Sequence, residues 1–292
     1  MNRPSKHQII GIVFAIVSIF LYVLSDTLIK YFLITNYSVE QATFLRAVVK
    51  IIYLLVPLIF YYKSLAPLKT HKPFIHFLNA ICGSARSYAY MSAIVLIPFA
   101  EVSALSYVSV IFFVIISWFL FKEPINKFHI IGIVIGFIGI IVALKPGFAM
   151  FKLGAIVSLL AAFIAALNKV TIKKLSISDH PMSIVVYPNL FLIIVSLPVL
   201  SKLWVSVSLK DWALFFSIGL IATIAQYLTV LSLKFTTAPT IAPYNYTYFG
   251  WFVLMDYLFG GIVPNIMVVI GAGFIILSNV IILFALRRKS ES

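Results

Sequence analysis

The chain has 292 residues, of which 63% are hydrophobic and only 10% charged, and its mean hydropathy is +1.12. Soluble domains carry about 45–50% apolar and about 25% charged residues, so a water-soluble enzyme or binding module is excluded. The net charge of +14 does not signal a nucleic-acid partner either, because of where the basic residues fall.

Hydropathy divides the chain into ten apolar stretches, at about 9–33, 41–62, 74–97, 99–121, 127–145, 151–173, 181–200, 211–233, 238–260 and 264–286. Each is long enough to cross a bilayer as a helix, and the joins leave no room for a soluble domain. The first stretch follows a basic start, but it is too long for a signal-peptide core and lacks an A-x-A site, so a retained span is expected. Pro73, Pro98, Pro124, Pro146, Pro181 and Pro264 fall at or near joins, where a missing amide costs little. Gly132, Gly136 and Gly139 form a small-residue stripe suited to close helix packing. The ninth stretch is the unusual one. It carries Pro239 and Pro243 near its start, then Tyr244, Tyr246 and Tyr248, with Asp256 further on. A span that faced only lipid would carry none of these, so this one is expected to line a polar cavity.

With the N-terminus inside, Arg3, Lys6, Lys63, Lys69, Lys72, Lys122, Lys127, Lys173, Lys174, Lys234, Arg287, Arg288 and Lys289 lie at cytoplasmic ends. Only Lys145, Lys152, Lys202 and Lys210 lie outside. This is the positive-inside asymmetry, so the surplus charge is a topology signal. Cys82 is the one cysteine, which rules out an intramolecular disulfide and a cysteine metal site.

The chain also repeats. The segment from Gly11 aligns without gaps on the segment from Gly154, setting Ser25 on Asn168, Asp26 on Lys169 and Lys30 on Lys173. The fourth stretch, from Ala100, lies over the ninth, from Ala238. Five spans per copy is an odd number, so the second copy enters the membrane from the opposite side. Inverted repeats place a substrate site between the halves near the midplane. Asp26 is then expected toward the outer face and Lys169 toward the inner face. The fold expected is an all-α membrane protein of ten transmembrane helices in a five-plus-five inverted repeat, residues 9–145 and 151–286.

A charge at bilayer depth costs about 2.5–3.5 kcal/mol on insertion scales, so each one inside a span calls for a partner or water. Asp26 and Lys30 are four apart and can pair along one helix face, with Arg46 a second candidate partner and Lys50 one turn below it. These four fit either a lock between the first two spans or a role in substrate binding. Arg86 falls mid-span with Tyr90 on the same face, where it is expected to line a cavity and hold a carboxylate. Gln226 takes the repeat position of Tyr88 and adds a neutral hydrogen-bonding group. Glu101 and Asp256, with Asp26, would make the outer half of a pathway acidic, drawing in cations or carrying protons. A helix-dipole role for Glu101 and a rim position for Asp256 fit equally well. Tyr22, Tyr107, Tyr244, Tyr246, Tyr248 and Trp251 offer rings to a cation or a flat ligand, or simply pack. His7, His71, His76, His129 and His180 have no metal-site spacing, and no nucleophile, Walker or dinucleotide motif appears. No cofactor and no metal are expected, and an enzyme or a scaffold is disfavoured.

Short-looped spans in a five-plus-five repeat, FLR at Phe44–Arg46 and WFLFKEP at Trp118–Pro124 resemble the EamA branch of the drug/metabolite transporter superfamily. Within it, SDTLIKY at Ser25–Tyr31, KPFIH at Lys72–His76 and TIAPYNY at Thr240–Tyr246 are similar to bacterial S-adenosylmethionine uptake carriers. The chain departs from the branch with Asn79 where arginine is usual and Gly260–Gly261 where a second glutamate is common. The resemblance implies a multi-pass carrier of the bacterial inner membrane, both termini cytoplasmic, moving a small metabolite, with lipid as its surroundings and a monomer or homodimer as its state. It implies S-adenosylmethionine uptake first and amino-acid or metabolite export second.

Overall fold

The computed structural model describes residues 6–33, 36–96, 105–122, 125, 127–144, 153–261 and 266–288. Among these, ten main helices follow one another with no strand: α1 (Lys6–Phe32), α2 (Val39–Pro57), α3 (Pro73–Leu96), α4 (Val108–Phe121), α5 (Lys127–Leu144), α6 (Leu153–Ser176), α7 (Pro181–Leu203), α8 (Leu209–Phe235), α9 (Thr247–Gly260) and α10 (Ile266–Arg288). Five segments are long and apolar enough to cross a membrane by length and composition: His7–Phe32, Glu40–Tyr62, Ile156–Ser176, Pro181–Ser201 and Leu209–Phe235.

Local chemistry sets the helix ends. The Ser38 and Ser208 hydroxyls accept the amides of Gln41 and Asp211, satisfying orphan donors at the starts of α2 and α8. α7 starts with Pro181 after His180, whose Nδ1 accepts the Met182 amide. α2 runs into a π turn, Leu58–Tyr62, which ends at Lys63 in the left-handed region (φ 47°). The ninth predicted span is not one helix. A short turn (Ala238–Ile241) and a 3-10 turn (Ala242–Tyr246) carry the two prolines before α9 begins. Each proline lacks the amide that would continue a regular ladder.

Apolar side chains point outward and polar ones inward. Ile59, Phe60, Phe119, Ile194 and Leu209 are exposed, whereas Ser18, Ser25, Gln41, Lys50, Asn79 and Asn168 are buried. Water would penalise such a surface, and hydrocarbon solvates it.

The main helix contacts form a regular pattern. α1 lies along α8 and α3 along α6; α4 packs on α6 and α9 on α1; α2 meets α7 and α8 while α7 meets α2 and α3; α5 pairs with α10. Exchanging each helix for the one five places along turns this set into itself. The glycine stripe on α5 serves packing: Ser278 of α10 donates to the Gly132 carbonyl (2.7 Å), and a Cβ on Gly136 would overlap the Tyr246 ring.

Candidate functional site

The site begins with Asp26 on α1. Arg46 of α2 donates to one carboxylate oxygen at 2.7 Å, and the Tyr248 hydroxyl of α9 donates to the other at 3.1 Å. Of the two partners expected for Asp26, Arg46 on the neighbouring helix makes the contact seen at its carboxylate, and the Lys30 ammonium lies 5.0 Å over the Tyr31 ring. An i,i+4 pair on one helix is held by long, mobile stems, whereas Arg46 reaches across a packed interface to a fixed oxygen.

One turn below Arg46, Lys50 is buried and donates to Gln226 of α8 at 2.9 Å. The same Gln226 oxygen accepts from Asn189 of α7 at 3.2 Å. Gln226 therefore sits among the predicted charges, as a neutral acceptor joining α2, α7 and α8.

Arg86 is exposed although it lies within α3. Tyr22 of α1 reaches Thr229 of α8. Hydrogen bonds bring Asp26 to Arg46 and Tyr248, and Lys50 to Gln226 and its neighbour Asn189, with Arg46 and Lys50 one turn apart on α2. Arg86 and Tyr90 lie one turn apart on α3.

Other predicted residues lie elsewhere. Tyr107 and Tyr246 are buried against each other, ring centroids 5.8 Å apart, with Val110, Val114, Ile133, Ala242 and Phe249 around them. The Tyr246 hydroxyl donates to the Ile133 carbonyl at 3.2 Å, so this ring is packing between α4, α5 and the 3-10 turn. Tyr244 is buried beside Ile12 and Ile16, its hydroxyl without a hydrogen-bond partner among the described residues. Trp251 meets Phe20 edge-to-face at 5.0 Å, and its buried indole nitrogen has no hydrogen-bond partner among the described residues. Glu101 lies outside the described residues. Asp256 falls on α9, with its side chain outside them.

Several residues join the site without having been assigned to it. Lys169 donates to the Asn245 side-chain oxygen at 2.8 Å and lies 5.8 Å over the Phe113 ring. Asn245 donates in turn to the Ile241 and Ala242 carbonyls in the proline-broken turn. Beside Lys169, Asn168 donates to Asn79 at 2.9 Å and Thr171 donates to the same oxygen at 3.0 Å, gluing α6 to α3. The repeat register had already set Lys169 on Asp26, and that was the signal for it. Among the described residues, Asp26 pairs with Arg46, while Lys50 and Lys169 donate to the side-chain oxygens of Gln226 and Asn245. The acidic outer half expected from Glu101 and Asp256 falls on side chains outside the described residues.

A second polar group sits at one end of the bundle. His76 Nε2 is 2.9 Å from Asp179, both side chains are buried, and Thr70 and Ser178 donate to the same carboxylate. The Tyr187 ring stands 4.8 Å from the imidazole, and its hydroxyl donates to the Leu68 carbonyl. Burial works to push the Asp179 carboxyl up, but the hydrogen bonds from Ser178, Thr70 and His76 outweigh it and hold the carboxyl below its ordinary value. His76 and Asp179 are 103 positions apart, and no motif spacing announces them.

The profile of the EamA-like transporter family matches residues 4–145 and again 152–284. The S-adenosylmethionine uptake transporter of Rickettsia conorii is 28% identical over 296 residues, covering 100% of both chains. The pseudopaline exporter of Pseudomonas aeruginosa is 24% identical, covering 92% of this chain and 94% of its own. The riboflavin transporter of Vibrio cholerae is 29% identical over 185 residues, 62% of this chain and 61% of its own. A crystal structure with 18% identity superposes with a TM-score of 0.79 over 95% of this chain and 98% of its own, a likeness of fold alone. With both halves of the sequence matching one family, the chain belongs to the EamA-like transporter family and is a membrane transporter.

Proposed function

We propose that the chain is a secondary carrier of the bacterial inner membrane, taking up S-adenosylmethionine, with ten spans, both termini cytoplasmic and an inverted five-plus-five repeat over 9–145 and 151–286. The observation that carries this reading is the polar centre inside an apolar bundle, where Asp26 bonds Arg46 and Tyr248 and Lys50 bonds Gln226, joining α1, α2, α8 and α9. The helix contacts that survive a five-place exchange support mirrored halves, and mirrored halves support alternating access. S-adenosylmethionine joins an amino-acid end, a sulfonium and an adenine ring. Arg86 suits the carboxylate, and Tyr22 and Tyr90 offer π faces and hydroxyls to the remainder.

The alternative is export of an amino acid or another metabolite. Relatives named for pseudopaline export and riboflavin transport favour keeping it. Uptake of labelled S-adenosylmethionine into proteoliposomes, competed with amino acids and nucleosides, decides between them. Saturable uptake that nucleosides and simple amino acids compete poorly is expected. No uptake, together with efflux of an amino acid, selects the alternative. Cysteine labelling should reach position 69 from the cytoplasmic side and position 202 from outside; the reverse pattern overturns the topology.

A further inference from the structure

We propose that Lys169 and Lys173 of α6 are positioning residues: they hold the two ends of the proline-broken segment 236–246 so that Tyr248 reaches Asp26. The polar centre at α1 is thereby kept assembled from the other half of the chain. The role rests on the carrier reading, in which that centre is where the substrate binds.

The two lysines are four residues apart, so they lie on one face of α6. Lys173 is buried and donates to the Leu233 carbonyl at 2.7 Å and the Thr236 carbonyl at 2.5 Å. The last turn of a helix leaves carbonyls with no intrahelical donor, and a lysine stem from a neighbouring helix can reach two of them. Lys173 thus fixes the point where α8 gives way to the broken segment. Lys169 takes the other end, donating to the Asn245 side-chain oxygen at 2.8 Å. Asn245 passes that hold inward, donating to the Ile241 and Ala242 carbonyls. Pro239 and Pro243 supply no amides of their own, so part of the hydrogen bonding that shapes this segment has to come from outside it.

Three residues beyond Asn245, the Tyr248 hydroxyl donates to Asp26 at 3.1 Å, and one further turn on Trp251 packs edge-to-face on Phe20. Asp26 and Lys169 are the positions that the repeat register sets on each other. Equivalent positions on α1 and α6 therefore grip the same segment, about one turn apart, one from each half of the chain. A shift at Asn245 carries Tyr248 with it. A hydrogen bond already at 3.1 Å has only a few tenths of an ångström before it weakens. Asp26 would then keep Arg46 and lose its second donor. Packing glue alone makes a different forecast, because its loss would simply add to the loss of Tyr248.

The test uses the full chain, in detergent and in proteoliposomes. Replacing Trp118, Trp204 and Trp212 by Phe leaves Trp251 as the one emitter. In that background Lys169→Met, Asn245→Leu and Lys173→Met should each shift Trp251 emission to the red, as α9 loosens from Phe20. Lys173→Arg, which keeps donors for both carbonyls, should restore it. For labelled S-adenosylmethionine, Lys169→Met, Asn245→Leu and Tyr248→Phe should each raise KM about tenfold, the size of one lost hydrogen bond, with a smaller change in kcat. Lys169→Met combined with Tyr248→Phe should cost no more than either alone. Additive losses, or unchanged Trp251 emission in Lys169→Met, overturn the proposal. Should Lys169→Met fail to fold, Asn245→Leu carries the same comparison with Tyr248→Phe. Emission shifts in a protein that takes up no S-adenosylmethionine sink that substrate and leave the positioning role standing. Normal uptake with unmoved emission does the reverse.

Discussion

The two ends of the bundle are joined across the halves by exchanged versions of the same connections. At one end the α2–α3 connection and the start of α3 meet the α6–α7 turn; at the other the α7–α8 connection and the start of α8 meet the α1–α2 turn. In the register that sets Gly11 on Gly154, Tyr37 falls on His180, and where Gln226 falls on Tyr88, Ser208 falls on Thr70. The chemistry nevertheless differs. The first seam centres on a buried imidazole–carboxylate pair, His76 and Asp179, with hydroxyls from Thr70 and Ser178. The second has the Tyr37 hydroxyl donating to Asp211 at 2.7 Å, Ser208 donating to the same oxygen, and Gln41 exchanging hydrogen bonds with the Val205 backbone. An ionisable pair cut off from water tolerates little, because either partner left alone is stranded, while a phenol at a wetter junction can be replaced by water.

That contrast orders the predictions. Asp179→Ala strands His76 and Thr70 and should cost about 3 kcal/mol, the range for removing one partner of a buried pair. The check is thermal unfolding in detergent micelles. A loss no larger than that of a surface carboxylate would erase the difference between the seams. Tyr37→Phe removes a single hydrogen bond while keeping the ring on Phe215, 5.7 Å away, and should cost about 1 kcal/mol. If the two losses come out equal, the seams are equivalent after all.

How much of this was legible in the sequence differs from residue to residue. Composition and hydropathy reveal the helices because bilayer-length apolar runs leave few other structures open to them. The break at 238–246 was visible because Pro239 and Pro243 remove amides. Arg86, Asp26 and Gln226 stood out as costly residues at depth. Which residue pairs with Asp26 did not: Lys30 at i+4 is readable along one helix, whereas Arg46 depends on how α1 and α2 are rotated against each other. Tyr246 reads as a ligand-facing ring until Gly136 is seen to make room for it on α5. His76 and Asp179 lie in different halves, and only the fold makes them neighbours.

A smaller effect separates the seams in acid. Burial, and then the charge of Lys234, hold the His180 imidazole below its ordinary 6.5. The unfolded chain therefore binds a proton that the folded chain resists, and stability falls as pH drops from 6.5 toward the folded value. The Asp179 carboxyl responds lower: its contribution is complete above 3.8 and is lost as pH falls through its depressed folded value. Melting temperatures measured from pH 8 to pH 5 should decline toward acid, and His180→Asn, which keeps a capping group for the Met182 amide, should flatten that decline. An unchanged slope in the variant would remove His180 as its source.

The smallest effect is expected at the opposite extreme of pH. Tyr37 lies in the α1–α2 turn, and burial, reinforced by its hydrogen bond to Asp211, raises its hydroxyl above the ordinary 10.0. For a group whose protonated form is the favoured one, stability is complete below 10.0 and lost as pH climbs through the raised folded value. Wild type should therefore lose melting temperature more steeply than Tyr37→Phe above pH 10, the phenylalanine variant starting lower and the two curves converging. The acid limb of that variant should keep the His180-dependent slope. Parallel curves above pH 10 would mean that the phenol is not what joins the α1–α2 turn to α8, leaving Gln41 and the Val205 backbone to hold that end alone.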